Sequence, residues 1–267
     1  MTKTILITGA TDGIGLATAK KLLAQGHRVL LHGRNREKLN TVIAALPEHA
    51  SQMEGYVADL SDFDEVEKLA ANVMADNRTL DVLINNAGVF KTPEATTSAG
   101  LDVRFAVNTI APYLLTWKLL PILPPEGRVI NLSSAAQARV DTDYLVGKKP
   151  SNDAMSAYAQ SKLAITMWTL VLADELGDQG PAIIAVNPGS MLGSKMVQEG
   201  FGVAGGDLNI GVDILTRAAL SPEFTGASGQ YFDNDAGAFG SPHSDALDPV
   251  KSRAVVKAIE SVISGRL

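Results

Sequence analysis

Tyr158 and Lys162 stand four residues apart in the tract Ser156-Ala157-Tyr158-Ala159-Gln160-Ser161-Lys162. On a helix that spacing projects both side chains from the same side. Their chemistry is complementary. A phenol of ordinary pKa, about 10, is a poor base at neutral pH, and a neighbouring ammonium favours its anion. Bringing that phenol to about 7 takes roughly 4 kcal/mol of preferential stabilisation of the phenolate, toward which a desolvated lysine contributes. Standing alone, such a pair is more often a solvated surface couple.

Other polar groups recur where a parallel sheet would present them. The run Val129-Ile130-Asn131-Leu132 ends in Ser133-Ser134, two hydroxyls at a strand's carboxyl edge, where doubly wound folds bind ligands. Val82-Leu83-Ile84 ends in Asn85-Asn86-Ala87-Gly88, whose small residues let a flat ring lie against the backbone. Asn108 interrupts an otherwise apolar helical stripe, and an amide that merely packs two helices is the bland alternative. Between the first apolar run and its helix lies Thr8-Gly9-Ala10-Thr11-Asp12-Gly13-Ile14-Gly15. Its glycines permit a tight turn and let a diphosphate approach main-chain N–H groups at the positive end of a helix. The spacing Gly-x-x-x-Gly-x-Gly differs from Gly-x-Gly-x-x-Gly and lacks the Gly-Lys-Ser/Thr of a triphosphatase loop.

The elements that must position these groups are legible as short β-branched runs alternating with longer stretches of helical period. Strands are predicted at 4–8, 28–32, 52–58, 81–85, 128–133 and 182–187, with a weaker seventh at 229–232. Helices are predicted at 13–25, 35–46, 61–76, 97–120 and 153–176, the fourth kinked or split near Asn108 by Pro112. The nearly continuous apolarity of four runs fits a parallel sheet covered on both faces. The expectation is an α/β, Rossmann-type doubly wound sheet of about seven strands, in a single domain over residues 1–267. Segments 137–152 and 190–206 exceed ordinary connections, and long loops at the carboxyl ends of parallel strands tend to be functional.

Composition excludes several alternatives. The chain has 267 residues, 46% of them hydrophobic, enough for a core without staples. A net charge of -6 disfavours a nucleic-acid partner, and the absence of cysteine removes disulfides, thiolate zinc sites and thiol catalysis. His27, His32, His49 and His243 are scattered without metal-ligand spacing, so no metal site is expected, and Asp233-Asn234-Asp235 reads as a turn. With neither a signal-peptide layout nor an apolar stretch long enough for a bilayer, a cytoplasmic protein without membrane contact is expected.

Taken together, Thr8 to Gly15, Asp59, Asn85 to Gly88, Asn108, Ser134, Tyr158, Lys162 and Pro188-Gly189 follow the order of the short-chain dehydrogenase/reductase family, which the chain resembles along essentially its whole length. Within it the sequence is most similar to the retinol-dehydrogenase-like branch, through the strand end Asn-Leu-Ser-Ser and the long step from Ser134 to Tyr158. The resemblance implies Tyr158 as the acid/base, Lys162 lowering its pKa and holding the nicotinamide ribose, Ser134 rather than Ser133 polarising the substrate oxygen, and Asn108 holding a water that links the lysine to solvent. It further implies a cofactor site of Gly9, Thr11, Asp12, Gly13, Ile14, Gly15, Arg34, Asn35, Asp59, Leu60, Asn86, Ala87, Gly88, Tyr158, Lys162, Pro188, Gly189 and Met191. Asp59 would contact the adenine amino group; its alternative is a helix cap, for which Ser61 competes.

Two departures bear on this site. After Pro188-Gly189 the family usually has a threonine that binds the carboxamide, whereas Gly193 stands at that position, with Ser194 one residue beyond. Gly33 occupies the place of the aspartate usual in NAD-preferring members, and Arg34 follows it, which favours NADP(H) over NAD(H), although Asp12 stands where many NADP-dependent relatives carry a basic residue. The implied activity is interconversion of a carbonyl and an alcohol on a small or medium apolar molecule by hydride transfer. The competing class is a non-catalytic NADP(H)-binding sensor on the same fold. The family commonly dimerises through the helix bearing Tyr158, so a homodimer or homotetramer is expected.

Overall fold

The strands are apolar on both sides because each side enters a different core. Leu6, Leu30, Leu83, Val129 and Ile183 join one buried cluster, while their neighbours Ile5, Ile7, Val29, Leu31, Val82, Ile84, Ile130 and Ile184 join the other. Period-two alternation therefore separates two faces that are equally dry. The computed structural model describes residues 1–149 and 153–267, so the last three positions of the long segment 137–152 lie outside the described residues.

The chain runs β1 (Thr4–Ile7), α1 (Gly13–Ala24), β2 (Arg28–Gly33), α2 (Arg36–Ala44), β3 (Met53–Val57), α3 (Phe63–Asp76), β4 (Val82–Asn85), α4 (Val103–Phe105), α5 (Ala111–Leu119), β5 (Arg128–Leu132), α6 (Thr142–Leu145), α7 (Ala154–Leu176), β6 (Ala182–Asn187), α8 (Lys195–Phe201), α9 (Asn209–Leu220), β7 (Tyr231–Asp233), β8 (Ala238–Gly240) and α10 (Pro249–Val262). The eight-stranded sheet has the order β3-β2-β1-β4-β5-β6-β7-β8 and is parallel except for β7 with β8. It is a Rossmann-type fold with one strand more than expected. The extra strand is three residues long, too short to carry a period.

The predicted helix 97–120 is shorter and divided. Thr96 bridges Asp102, whose side chain caps α4 by accepting from the Arg104 N–H. Residues Ala106–Ile110 then form a π turn, closed by the Ala111 N–H donating to Ala106 O. Pro112, two residues later, has no N–H to continue the α-helical ladder. Thus the proline expected to kink the helix near Asn108 goes with a bulge that contains Asn108. Helix α7 is the centre of one core: Trp168 is fully buried and meets Tyr113 of α5 edge-on at 5.5 Å, and α10 packs along the same helix. Among the described residues, no helix is long and apolar enough to cross a membrane.

Candidate active site

The strand order reverses between β1 and β4, so the loops that follow these strands diverge and open a crevice. Thr8 Oγ1 accepts hydrogen bonds from the N–H groups of Asn86 and Ala87, and Asn86 Nδ2 donates to Thr8 O at 2.8 Å and Gly9 O at 3.2 Å. The glycine loop and the Asn85–Gly88 tract are thereby fastened to one another. Gly15 sits where they meet: a Cβ there would lie 2.4 Å from both Gly9 O and Asn86 Nδ2. Gly13, at φ +54°, has nothing within 4 Å of the same construction. This open, glycine-lined N-terminus of α1 suits a diphosphate. Asp12 caps the helix through Gly13 N–H, leaving a carboxylate on the exposed rim.

At the end of β2, Arg34 is exposed and makes neither hydrogen bond nor ion pair among the described residues, so its guanidinium is available to an anion. Gly33 lies against the glycine loop, and a Cβ would fall 2.5 Å from Thr11 Cγ2. An aspartate at 33 would therefore have to displace Thr11. Asn35 spends its side chain capping α2 through Lys38 N–H. Asp59 Oδ1 accepts from the N–H and Oγ of Ser61, and the cap of α3 is Asp62, so neither Asp59 nor Ser61 takes that role. Leu60 is buried in the core behind them.

Ser133 and Ser134 face different ways. Ser133 Oγ is buried against Thr166 Oγ1 at 2.6 Å, whereas Ser134 is half-exposed and its hydroxyl neighbours the Tyr158 phenol. Burial pushes that phenol above its ordinary value, with Ser134 pulling the other way. Lys162 Nζ donates to Leu132 O at 2.7 Å and lies 5.7 Å from the centre of the Tyr158 ring. Burial pulls its pKa down to about 8. The ammonium of Lys162 is directed at Leu132 O, and the hydroxyl of Ser134 is the group that opposes the effect of burial on the phenol. Asn108 Oδ1 accepts from Val89 N–H at 2.8 Å while its Nδ2 donates to Val89 O and Ser161 Oγ. Asn108 and Lys162 converge over Gly88, where a Cβ would lie 3.5 Å from Asn108 Oδ1 and 3.6 Å from Lys162 Nζ. Gly88 leaves that strip of backbone open.

Beyond β6, Pro188 and Gly189 lead to Met191, the one non-glycine residue at positive φ (+52°) among those described. Ser194, one residue beyond the position of the missing threonine, caps α8 by accepting from Val197 N–H, which leaves its O–H as a donor. Helix α8 brings Phe201 onto Phe90 at 5.4 Å, and Phe90 packs on Tyr158 at 5.3 Å. The result is an apolar wall beside the phenol.

Several residues that hold this arrangement are not apparent from sequence. Gln137 Nε2 and the Tyr231 hydroxyl both donate to Ser134 O. Buried His32 accepts from Gly9 N–H at Nδ1 and donates from Nε2 to Ala58 O, bridging the glycine loop to the segment before Asp59. A lone histidine in an apolar strand was the only available signal, and it reads equally well as ordinary core.

Residues 3–201 match the short chain dehydrogenase family. Human retinol dehydrogenase 13 is 32% identical over 253 residues, which cover 86% of this chain and 76% of that protein. The short-chain dehydrogenase chry4 of Gibberella zeae is 31% identical over 98% of each chain. Among solved structures, a short chain dehydrogenase from Burkholderia cenocepacia in complex with NADP superposes with a TM-score of 0.69 at 25% identity, covering 86% of this chain and 95% of that one. A protein from Mycobacterium paratuberculosis superposes with a TM-score of 0.80 at 27% identity, over 97% and 92% of the two chains. Motif order, crevice and relatives agree, and the chain belongs to the short chain dehydrogenase family, on its retinol-dehydrogenase-like branch.

Proposed function

We propose that this chain is an NADP(H)-dependent oxidoreductase that interconverts a carbonyl and an alcohol on a small or medium apolar molecule. The observation that carries the reading is the meeting of the Tyr158 and Ser134 hydroxyls beside Lys162, at the crevice opened by the glycine loop. When bound, the nicotinamide supplies or accepts the hydride at the substrate carbon. Ser134 donates to the substrate oxygen, and Tyr158 passes its proton to that oxygen in reduction and recovers it in oxidation. Burial keeps the phenol protonated at neutral pH, which suits the acid role and hence reduction. Lys162, cationic below about pH 8, holds the ribose hydroxyls, and Asn108 anchors the water that resupplies the proton.

The remaining cofactor contacts follow the crevice. Gly9, Thr11, Gly13, Ile14 and Gly15 receive the diphosphate at the start of α1, Asp59 and Leu60 the adenine, and Asn86, Ala87 and Gly88 the flat face of the ring system. Pro188, Gly189 and Met191 border the carboxamide. The free Arg34 supports NADP(H) over NAD(H), and the relative from Burkholderia, solved with NADP, supports it further. Phe90 and Phe201 support an apolar substrate. Replacing Tyr158 by Phe is expected to leave NADPH binding intact and to cut turnover by about 10²–10⁴-fold. A panel of ketones, aldehydes and alcohols, followed by nicotinamide absorbance, supplies the substrate for that comparison. Unchanged turnover in the variant would remove Tyr158 from the mechanism.

A further inference from the structure

The turn between β7 and β8 does more than reverse the chain. Asn234 Nδ2 donates to Pro188 O at 2.9 Å and to Ile210 O at 3.3 Å, so a single amide grips both ends of the long segment that leaves β6 and returns at α9. Asp235 takes the entry strand from the other side: Oδ1 accepts from Ser190 N–H at 2.8 Å, and Oδ2 accepts from Ser190 Oγ and from Asn187 Nδ2. Asn187, fully buried at the end of β6, donates from the same amide to Asp233 Oδ1 and accepts from Gly189 N–H at Oδ1. Burial opposes ionisation of Asp235, but the hydrogen bonds from Ser190 and Asn187 outweigh it and hold the carboxyl below its ordinary range.

Inside this grip the segment closes on itself through Gly193 N–H to Gly206 O and Gly206 N–H to Met191 O. Its far end is held more lightly, by exposed Lys91 donating to Gly200 O and by Phe201 against Phe90. A neck tied by directed hydrogen bonds and a tip resting, among the described residues, on the Lys91 hydrogen bond and the Phe201–Phe90 ring contact form a flap whose base is fixed.

We infer that Asn234 and Asp235 are positioning residues for cofactor capture, fixing Pro188, Gly189 and Met191 at the base of the flap through their grip on both of its ends. This rests on the function proposed above and names residues that act on that site without touching the reacting atoms. Asn234→Asp preserves size but replaces the double donor by an acceptor facing two carbonyls. The expected result is about a tenfold rise in the NADPH dissociation constant and in its KM, with kcat at saturating cofactor within about twofold. Hydrogen exchange of the cofactor-free protein should accelerate across residues 189–209 while the strands β1 to β6 keep their protection.

Asp235→Asn, which turns an acceptor into a donor against Asn187 and Ser190, should reproduce both effects, and Asp235→Glu should restore part of the affinity. An unchanged NADPH dissociation constant, or protection lost evenly across the sheet, would overturn the assignment. If the unaltered protein binds no NADPH, the functional proposal fails; faster exchange confined to 189–209 would then still support the grip, and unchanged exchange would refute it.

Discussion

One imidazole ties the glycine loop to the segment before Asp59. His32 must be neutral to accept from Gly9 while donating to Ala58, and burial lowers its pKa to about 4. An unfolded chain takes up that proton near 6.5, so between the two values it binds more protons than the folded one. The stability contributed by the neutral ring is complete above pH 6.5 and drains away as pH falls toward 4, by up to about 3 kcal/mol. His32→Gln is expected to be less stable at pH 7 but to lose correspondingly less on acidification, read from denaturant melts between pH 7 and 4. Identical acid limbs would assign the loss to another group. Arg34 sets a second test at this scale, because the proposed NADP(H) site has its exposed guanidinium form charge-assisted bonds with a phosphate that NADH lacks. Loss of such bonds is worth about 1.5–3 kcal/mol. Arg34→Ala should therefore weaken NADPH by roughly 10–150-fold and NADH hardly at all. Equal losses would show that the arginine does not select the phosphate.

Helix α1 begins against the neighbouring loop with no room for a methyl group at Gly15. Alanine there gains up to about 1 kcal/mol of helix propensity but meets a backbone oxygen at 2.4 Å, and overpacking of that kind costs about 1–3 kcal/mol. Gly15→Ala should be destabilised by roughly 1–2 kcal/mol and should lose cofactor affinity, measured as a lower denaturant midpoint at unchanged slope and a weaker NADPH titration. A stabilised variant would mean that the loop yields. The same contacts explain what sequence conveys. Strands buried on both faces, the glycine turn and the Tyr158–Lys162 helix announce themselves because their cause is local: apolar runs, conformational freedom and an i to i+4 step. Pro112 announced a break, and the π turn holding Asn108 is its form. Helices α9 and α10 were legible in principle, since Asp248-Pro249 is a cap followed by Val255, Val256 and Ile259 on one face. Asp235 was not, because its partners Asn187 and Ser190 are distant in sequence, and neither was the part of Gln137, whose oxygen accepts from His243 N–H 106 residues away.

At the scale of the whole molecule, the covering of α7 bears on whether a second copy of the chain can pack on that helix. Its apolar length is the reason to expect a dimer through this helix, yet Leu163, Met167, Trp168 and Leu172 are buried within the chain, in one cluster with Val255, Val256, Ile259 and Ile263 from α10 and its end. A partner seated on α7 must first displace α10. Exposing four aliphatic side chains costs about 1.5–3 kcal/mol each, together comparable to the 5–15 kcal/mol that stabilises a typical domain. The protein is therefore expected to be monomeric by light scattering at micromolar concentration, with the 28.1 kDa mass of one chain. Met155, at the exposed start of α7, supplies the check. A mass twice that of the chain, returning to the single value in Met155→Glu, would show that α7 accepts a partner despite α10, whereas a single mass in both leaves α10 in the partner's place.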